Sequence, residues 1–475
     1  MTKLRLLLTG TFSLFLLLQL SAQQVLSLDS CRQLALNNNK QLRVAELKQE
    51  AASNTRKAMF TKYLPKIDAL GGYEFTSREF SLLNGEQKTV LNNLGTIVGA
   101  SMASSLPPTM GTSVSQALNA AGQRIRKAFE TDTRNVFMGS VILKQPIFMG
   151  GGIIAANRLA ELNEQLAAES MADRQQVTLY EVDHAYWTVV SLRQKQLLAQ
   201  QYLQLVEKLD SNVYKMIGSG VATRADGLQV DVKVNEAQMT LTQVDNGLTL
   251  ARMFLCQLCG LPMESAVELL DEKGDMTKPL DVATDYQVEE AMNHRPELRM
   301  LRTAVDMTEQ KTRLERAAYL PQIALTAGYL VTNPNVLNGF ERRFAGMWNV
   351  GVMLRVPVWN WMEGVYKVRA SKAMTAMAEL ELSEAREKVE LQLSQSSFKM
   401  KEAAKRRQVA AKNTERAEEN LRCANLGFSE GVMQTTDVMA AQTAWLQART
   451  QEIDALIDMR LAQSDFLKAQ GKLKP

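Results

Sequence analysis

The sequence predicts a mainly helical protein with a membrane β-barrel contribution. Its fold class is a duplicated helix–strand–strand–long helix plan that supplies four strands per subunit. Three observations predict this. Gly220-Val221-Ala222-Thr223-Arg224-Ala225-Asp226 recurs as Gly431-Val432-Met433-Gln434-Thr435-Thr436-Asp437, 211 residues later. Four stretches alternate apolar and polar residues with the period of a strand. The stretch Ile153 to Met216 contains neither proline nor glycine, as a long unbroken helix requires.

The duplication extends beyond the Gly-Val pattern. Tyr63-Leu64-Pro65-Lys66-Ile67 recurs as Tyr319-Leu320-Pro321-Gln322-Ile323, and Leu42-Arg43 as Leu298-Arg299, both 256 residues apart. Leu143-Lys144-Gln145-Pro146-Ile147 recurs as Leu354-Arg355-Val356-Pro357-Val358, 211 residues apart. One insertion of 45 residues in the first copy, between Leu64 and Leu143, accounts for both offsets. Units this long are not solenoid repeats. They predict one subunit with two pseudo-symmetric, intertwined halves: residues 23–261 and 285–475, joined by a connector at 262–284.

Met1 to Ala22 reads as a secretory leader, with Lys3 and Arg5 before the apolar run Leu6 to Leu20 and small residues at its end. The first cysteine, Cys31, lies nine residues past Ala22, so no lipid-anchored N-terminus is expected. No later apolar run reaches the ~20 residues of a membrane helix. The 475-residue chain carries a net charge of +4, two units of which belong to the leader. That balance argues against a nucleic-acid partner. Two histidines and four cysteines leave little for metal or thiol chemistry, and the 24 methionines read as adaptable packing residues.

The elements follow in order. Leu28 to Phe60 reads as one helix, with Asp29 and Ser30 as candidate caps, ended by Pro65. The first strand is expected at about 66–75, with Ile67, Ala69, Tyr73 and Phe75 on one face and Lys66, Asp68, Gly72 and Glu74 on the other. Thr76 to Asn135 reads as an inserted loop, with a short helix over Ala117 to Phe129. A second strand at about 136–145 places Phe137, Val141 and Leu143 opposite Ser140 and Lys144, and Pro146 is expected to end it. Gly150-Gly151-Gly152 leads into helix and lacks the Gly-Lys-Ser/Thr of a phosphate loop. Leu198, Tyr202, Leu205, Leu209, Val213 and Met216 step by three or four, like a coiled-coil seam, in a helix of ~95 Å. The first hairpin tip lies at about 217–226, followed by a return helix over Gly227 to Leu258. The connector is acidic and turn-prone. The second half repeats the plan: a helix over Val288 to Tyr319, strands at about 322–331 and 347–356, and a long helix over Gly364 to Leu426. Its tip lies at about 427–437 and its return helix over Thr435 to Ala469. Leu325, Ala327 and Tyr329 share a face of the third strand; Trp348, Val350, Val352 and Leu354 share a face of the fourth.

Strands of this length and pattern suit a tilted membrane strand. Lipid tolerates only helices or closed barrels. The smallest usual barrel has about eight strands, so four close only by oligomerising. With these motifs in duplicate and in register behind a leader, the chain resembles the outer-membrane efflux protein family (TolC-like) over nearly all its mature length. The resemblance implies a homotrimer, a twelve-strand barrel in the outer membrane, and an α-helical tunnel crossing the periplasm. It implies partners too: a periplasmic adaptor that meets the hairpin tips, an inner-membrane pump, and outer-membrane lipid.

The tip residues that match are Gly220 and Val221, and Gly431 and Val432; turn formation alone is the competing role for the glycines. The family narrows its tunnel near the second tip with acidic rings. Asp437 matches one ring position, and Asp226 is its counterpart in the first copy. Both Asp residues also fit as helix caps, and the two roles are compatible. Ala440 stands where some members carry a second Asp. Met433 stands where some carry a basic residue that ties the tip closed, and Arg224 and Arg422 are candidates to replace it.

The expected function is a passive outer-membrane exit duct of a tripartite efflux or type I secretion system, with no catalytic residues, metal or cofactor. The competing reading is a secreted coiled-coil tether, which leaves the amphipathic strands unexplained. Cys256-Gln257-Leu258-Cys259 has redox spacing but reads as core, with a local disulfide as the alternative. His184 and His294 are unaccompanied by other ligand candidates.

Overall fold

The computed structural model describes residues 24–77, 83–102, 107–130, 134–273, 286–335 and 341–474. The leader and most of the connector lie outside the described residues. The chain runs β1 (Gln24–Leu26), α1 (Leu28–Asn38), α2 (Lys40–Phe60), β2 (Lys66–Phe75), α3 (Gly85–Asn92), α4 (Leu94–Met102), α5 (Pro108–Ala128), β3 (Asn135–Met149), α6 (Gly152–Gly218) and α7 (Arg224–Cys259). Then come β4 (Val267–Leu269), α8 (Val288–His294), α9 (Pro296–Ala317), β5 (Gln322–Asn333), β6 (Ala345–Arg355), α10 (Glu363–Ser429) and α11 (Thr435–Ala469). Two compact units form. One takes the described residues up to Asn54, with Glu161–Thr308 and Ala373–Pro475; the other takes Thr55–Ala160 and Glu309–Lys372. Each unit draws on both sequence repeats.

The second unit is built on a four-stranded antiparallel sheet in the order β2-β3-β5-β6. Its register pairs Tyr73 with Phe137, Val141 with Tyr329, and Tyr329 with Trp348. Because side chains alternate across a strand, this register gathers Ile67, Tyr73, Val141, Tyr329, Trp348, Val350, Val352 and Leu354 onto one face. All eight are exposed. The sheet is open: each of its outer strands, β2 and β6, has one partner.

Two expectations for this unit need correction. Pro146 does not end β3, which continues to Met149 across a register shift between Pro146 and Phe148. The residue left without a partner is Ile147, directly after Pro146, and proline within strands is found at such bulges. The inserted segment is also more helical than a loop with one short helix. The Asn84–Gln87 capping box starts α3, and Pro108 occupies the first turn of α5. Asn119 Oδ1 accepts hydrogen bonds from the N–H groups of Gly95 (2.7 Å) and Thr96 (3.3 Å), tying α5 to the start of α4. The Gly150–Gly152 turn is a packing device: a Cβ at Gly150 would lie 2.5 Å from the Ala317 carbonyl oxygen.

The first unit holds the helical hairpins. α1 and α2 are separate helices, broken at Asn39, and α8 and α9 are broken at Arg295. The breaks are 256 residues apart, as the duplication requires. Each has a local cause. Asn39 Oδ1 accepts from Gln41 N (2.8 Å) and caps the new helix, while Pro296 pushes Arg295 to extended angles. The cap of α1 is Ser27, which accepts from Ser30 N (3.1 Å), rather than Asp29 or Ser30. The connector is not wholly irregular, because β4 pairs in parallel with β1.

A core cluster around this pairing contains Cys31, Val182, Tyr186, Val190, Leu255, Cys256, Cys259, Val267 and Leu269. Cys31, Cys256 and Cys259 are buried free thiols, so Cys256 and Cys259 form no local disulfide. His184 sits beside Asp465 at 3.6 Å, and the His294 ring bonds the Glu290 carbonyl of its own helix.

Candidate partner-contact tips and aperture

Each long helix ends the same way. In the first hairpin Val221 N–H reaches the Met216 carbonyl (2.9 Å) and Gly220 N–H the Ile217 carbonyl (3.0 Å). In the second, Val432 N–H reaches the Gly427 carbonyl (2.9 Å) and Gly431 N–H the Phe428 carbonyl (3.1 Å). This is the Schellman closure, which satisfies the last carbonyls with a left-handed residue. Gly220 and Gly431 have φ of +77° and +74°, angles that L side chains rarely adopt. A Cβ at either would project into open space. Glycine is thus demanded here by backbone angle, not by crowding within the hairpin.

The valine that follows each glycine projects outward, 72% exposed at Val221 and 81% at Val432. A β-branched apolar side chain at a helix turn contributes nothing to its own hairpin in that position.

Asp226 and Asp437 both occupy the first turn of a return helix. Asp226 accepts from the Thr223 backbone N–H (2.9 Å) and hydroxyl (2.7 Å), and Asp437 accepts from Gln434 N–H (3.0 Å). Both are helix caps. The Thr223 hydroxyl and backbone N–H hold the Asp226 carboxyl below the usual carboxylate range. Asp437 remains exposed, as does Ala440 one turn further on.

Met433 has a packing role in its own hairpin. A Cβ on Gly427 would meet Met433 Cγ at 2.9 Å, so the Met433 side chain lies across the space that Gly427 leaves. The corresponding residues of the first tip are Met216 and Ala222, each 211 positions earlier. Large and small have exchanged places between the two copies. Of the two arginines considered as replacements, Arg422 is held on its own helix by a two-point ion pair to Glu419 (2.7 and 2.8 Å). Arg224 is exposed.

Below the tips the two hairpins share one core: Leu198, Tyr202, Val206, Leu209, Val213 and Val230 with Leu421, Ala424, Val438, Ala441 and Trp445. The seam follows the expected spacing from Leu198 to Val213, with Val206 buried where Leu205 was expected and Ile217 packed against the core where Met216 was expected. Sequence reasoning missed one polar group beside the first tip. Tyr214 donates to Asp231 Oδ2 (2.8 Å). Desolvation and the nearby Asp231 carboxylate push the Asp210 carboxyl up. The one signal for it is the helical spacing of Asp210 and Tyr214, since the partner across the hairpin depends on the turn geometry.

Comparison with known proteins agrees with this architecture. A family model described as outer membrane efflux protein matches residues 31–261 and 288–472. The chain is 23% identical over 353 residues to the outer membrane efflux protein BepC of Brucella suis, covering 72% of this chain and 74% of that one. It is 26% identical over 236 residues to the alkaline protease secretion protein AprF of Pseudomonas aeruginosa, covering 49% and 48%. The crystal structure of the Campylobacter jejuni CmeC outer membrane channel superposes with a TM-score of 0.75 at 15% identity, over 94% of this chain and 85% of that one.

Proposed function

We propose, on the premise that this chain belongs to the outer membrane efflux protein family, that three copies close a twelve-strand barrel and carry substrates outward. The protein is an outer-membrane exit duct with helices that extend into the periplasm. The observation that carries the trimer is the open sheet: four strands, one exposed apolar face, and two outer strands with one partner each. Backbone groups on such edges cannot remain unpaired in lipid. Pairing β6 of one copy with β2 of the next satisfies both edges, and three copies exceed the minimum for a barrel. A coiled-coil tether has no use for this apolar face.

The tips fit the adaptor. Val221 and Val432 are apolar knobs held on rigid turns, and Gly220 and Gly431 leave the backbone beside them bare for close approach. Asp226 and Asp437 line the aperture as well as capping their helices, and like charges in a narrow passage focus the field on passing ions. An inner-membrane pump supplies the energy and the duct itself performs no chemistry. AprF, by its name a protease secretion protein, and BepC, by its name an efflux protein, mark secretion and efflux as the two kinds of export open to this chain.

Cysteine pairs placed one in β2 (Lys66–Phe75) and one in β6 (Ala345–Arg355) test the barrel. Some registers should oxidise to covalent trimers in outer-membrane preparations; monomers at every register would contradict edge pairing. At the aperture, Asp437→Ala should change cation selectivity or blockade in planar-bilayer recordings while thermal stability stays close to wild type. Unchanged selectivity removes Asp437 from the aperture.

A further inference from the structure

The turn between β6 and α10 differs from its counterpart in the first repeat in a way the fold does not require. Trp361 and Met362 have φ of +49° and +62°. The corresponding residues of the first repeat are Gly150 and Gly151, which take such angles freely. Bulky residues are rare at such angles, so this turn carries a backbone strain that its first-repeat counterpart avoids. The result is an exposed aromatic pair: Trp359 and Trp361 are 66% and 84% exposed, with ring centroids 5.9 Å apart, beside Val358 at 89%.

The same turn borders a groove of about 690 Å³ whose lining includes Arg316, Tyr319, Trp359, Met362, Arg369 and Lys372. None of the three cations has an ion-pair partner among the described residues. The acid on the groove, Glu363, already pairs with Lys367 at 2.6 Å. Arg316, Trp359, Trp361 and Lys372 are replaced in the first repeat by Phe60, Phe148, Gly150 and Glu161, and only Arg369 keeps its counterpart, Arg158, so the duplication did not dictate the full group.

We propose that this groove binds an anionic phospholipid of the periplasmic leaflet, with Arg316, Arg369 and Lys372 on its phosphate and Trp359 and Met362 against its glycerol and upper acyl chains. The inference rests on the sheet lying in the membrane. Along the chain the order is that of a lipid. The exposed apolar face of β6 runs through Trp348, Val350, Val352 and Leu354, then come the exposed tryptophans, then the cations of α10. Tryptophan prefers the membrane–water boundary because its ring is apolar and its N–H needs a wet partner. Lysine and arginine just beyond that boundary attract anionic headgroups. Arg316, at the end of α9, brings the third charge from the other side of the groove.

Native mass spectrometry of the detergent-extracted protein, titrated with phosphatidylglycerol or phosphatidylethanolamine of the same acyl chains, tests this. The wild type should retain phosphatidylglycerol at least tenfold better. The triple variant Arg316→Gln/Arg369→Gln/Lys372→Gln should lose that preference, and Trp359→Ala/Trp361→Ala should lower retention of both lipids several-fold. Equal retention of the two lipids by the wild type would overturn the proposal. So would a preference that survives in the variants, which would place the lipid elsewhere. Protein absent from the outer-membrane fraction would instead remove the barrel reading on which the lipid site stands, whereas trimers without lipid preference would remove the lipid site alone.

Discussion

Asp183 lies on α6 with no exposed surface. It accepts three hydrogen bonds, from Arg32 Nε and Nη2 at 2.7 Å each and from Ser464 Oγ at 2.6 Å. These ties join α1, α6 and α11 in one charged knot inside an apolar core. Removing one partner of a buried pair strands the other charge, at a cost of about 3–5 kcal/mol. Arg32→Ala should therefore lower unfolding stability by about that amount in denaturant titrations followed by circular dichroism. A loss under about 1 kcal/mol, the range of a surface pair, would show that water reaches Asp183. Nothing in the sequence marks this pair, because 151 residues separate its members and each alone reads as a solvated charge. Met433 was legible only as a departure from the family pattern. Its contact with the space over Gly427 depends on a turn that folds the chain back within six residues.

At the scale of the element, the tips were the most legible feature, since a left-handed closure needs glycine and leaves a signature in any sequence. Their geometry also separates two roles. Asn tolerates left-handed angles, so Gly431→Asn should preserve the turn, whereas Gly431→Trp adds a large group pointing into open space. In a pump-dependent strain, Gly431→Trp should abolish export while trimers still reach the membrane, and Gly431→Asn should retain more of it. Equal, normal drug tolerance in both would mean that no partner occupies the space beside Gly431. The strands were legible from alternation, and the register places on one face the residues grouped by sequence. Their ends were legible in part: β2 spans the expected 66–75 and β5 begins at the expected Gln322, while β3 and β6 depart from the expected bounds. Pro146 sits inside β3 because a bulge absorbs it, while β6 ends at Arg355, two residues before the corresponding Pro357. Proline marks a position that cannot donate, and whether the strand ends there depends on the neighbouring strand. The helix breaks at Asn39 and Arg295 had local signals, a run of asparagines and an Arg-Pro step, which unbroken apolar spacing concealed.

For the whole molecule, the duplication carried most of the fold, because two offsets related by one insertion predict both hairpins and both strand pairs. It implied intertwined halves without saying which segments form each compact unit. The compact units cut across the repeats, since strands pair with strands and hairpins pack with hairpins whichever copy they come from. Nor could it supply the closure of the sheet, which no single chain contains. The central claim is that four strands with two outer edges become a barrel only by assembly. The most direct measurement is the subunit count of the protein extracted from washed outer membranes, by native mass spectrometry. The account predicts three copies. A monomer or dimer, or a protein absent from the membrane fraction, would contradict it.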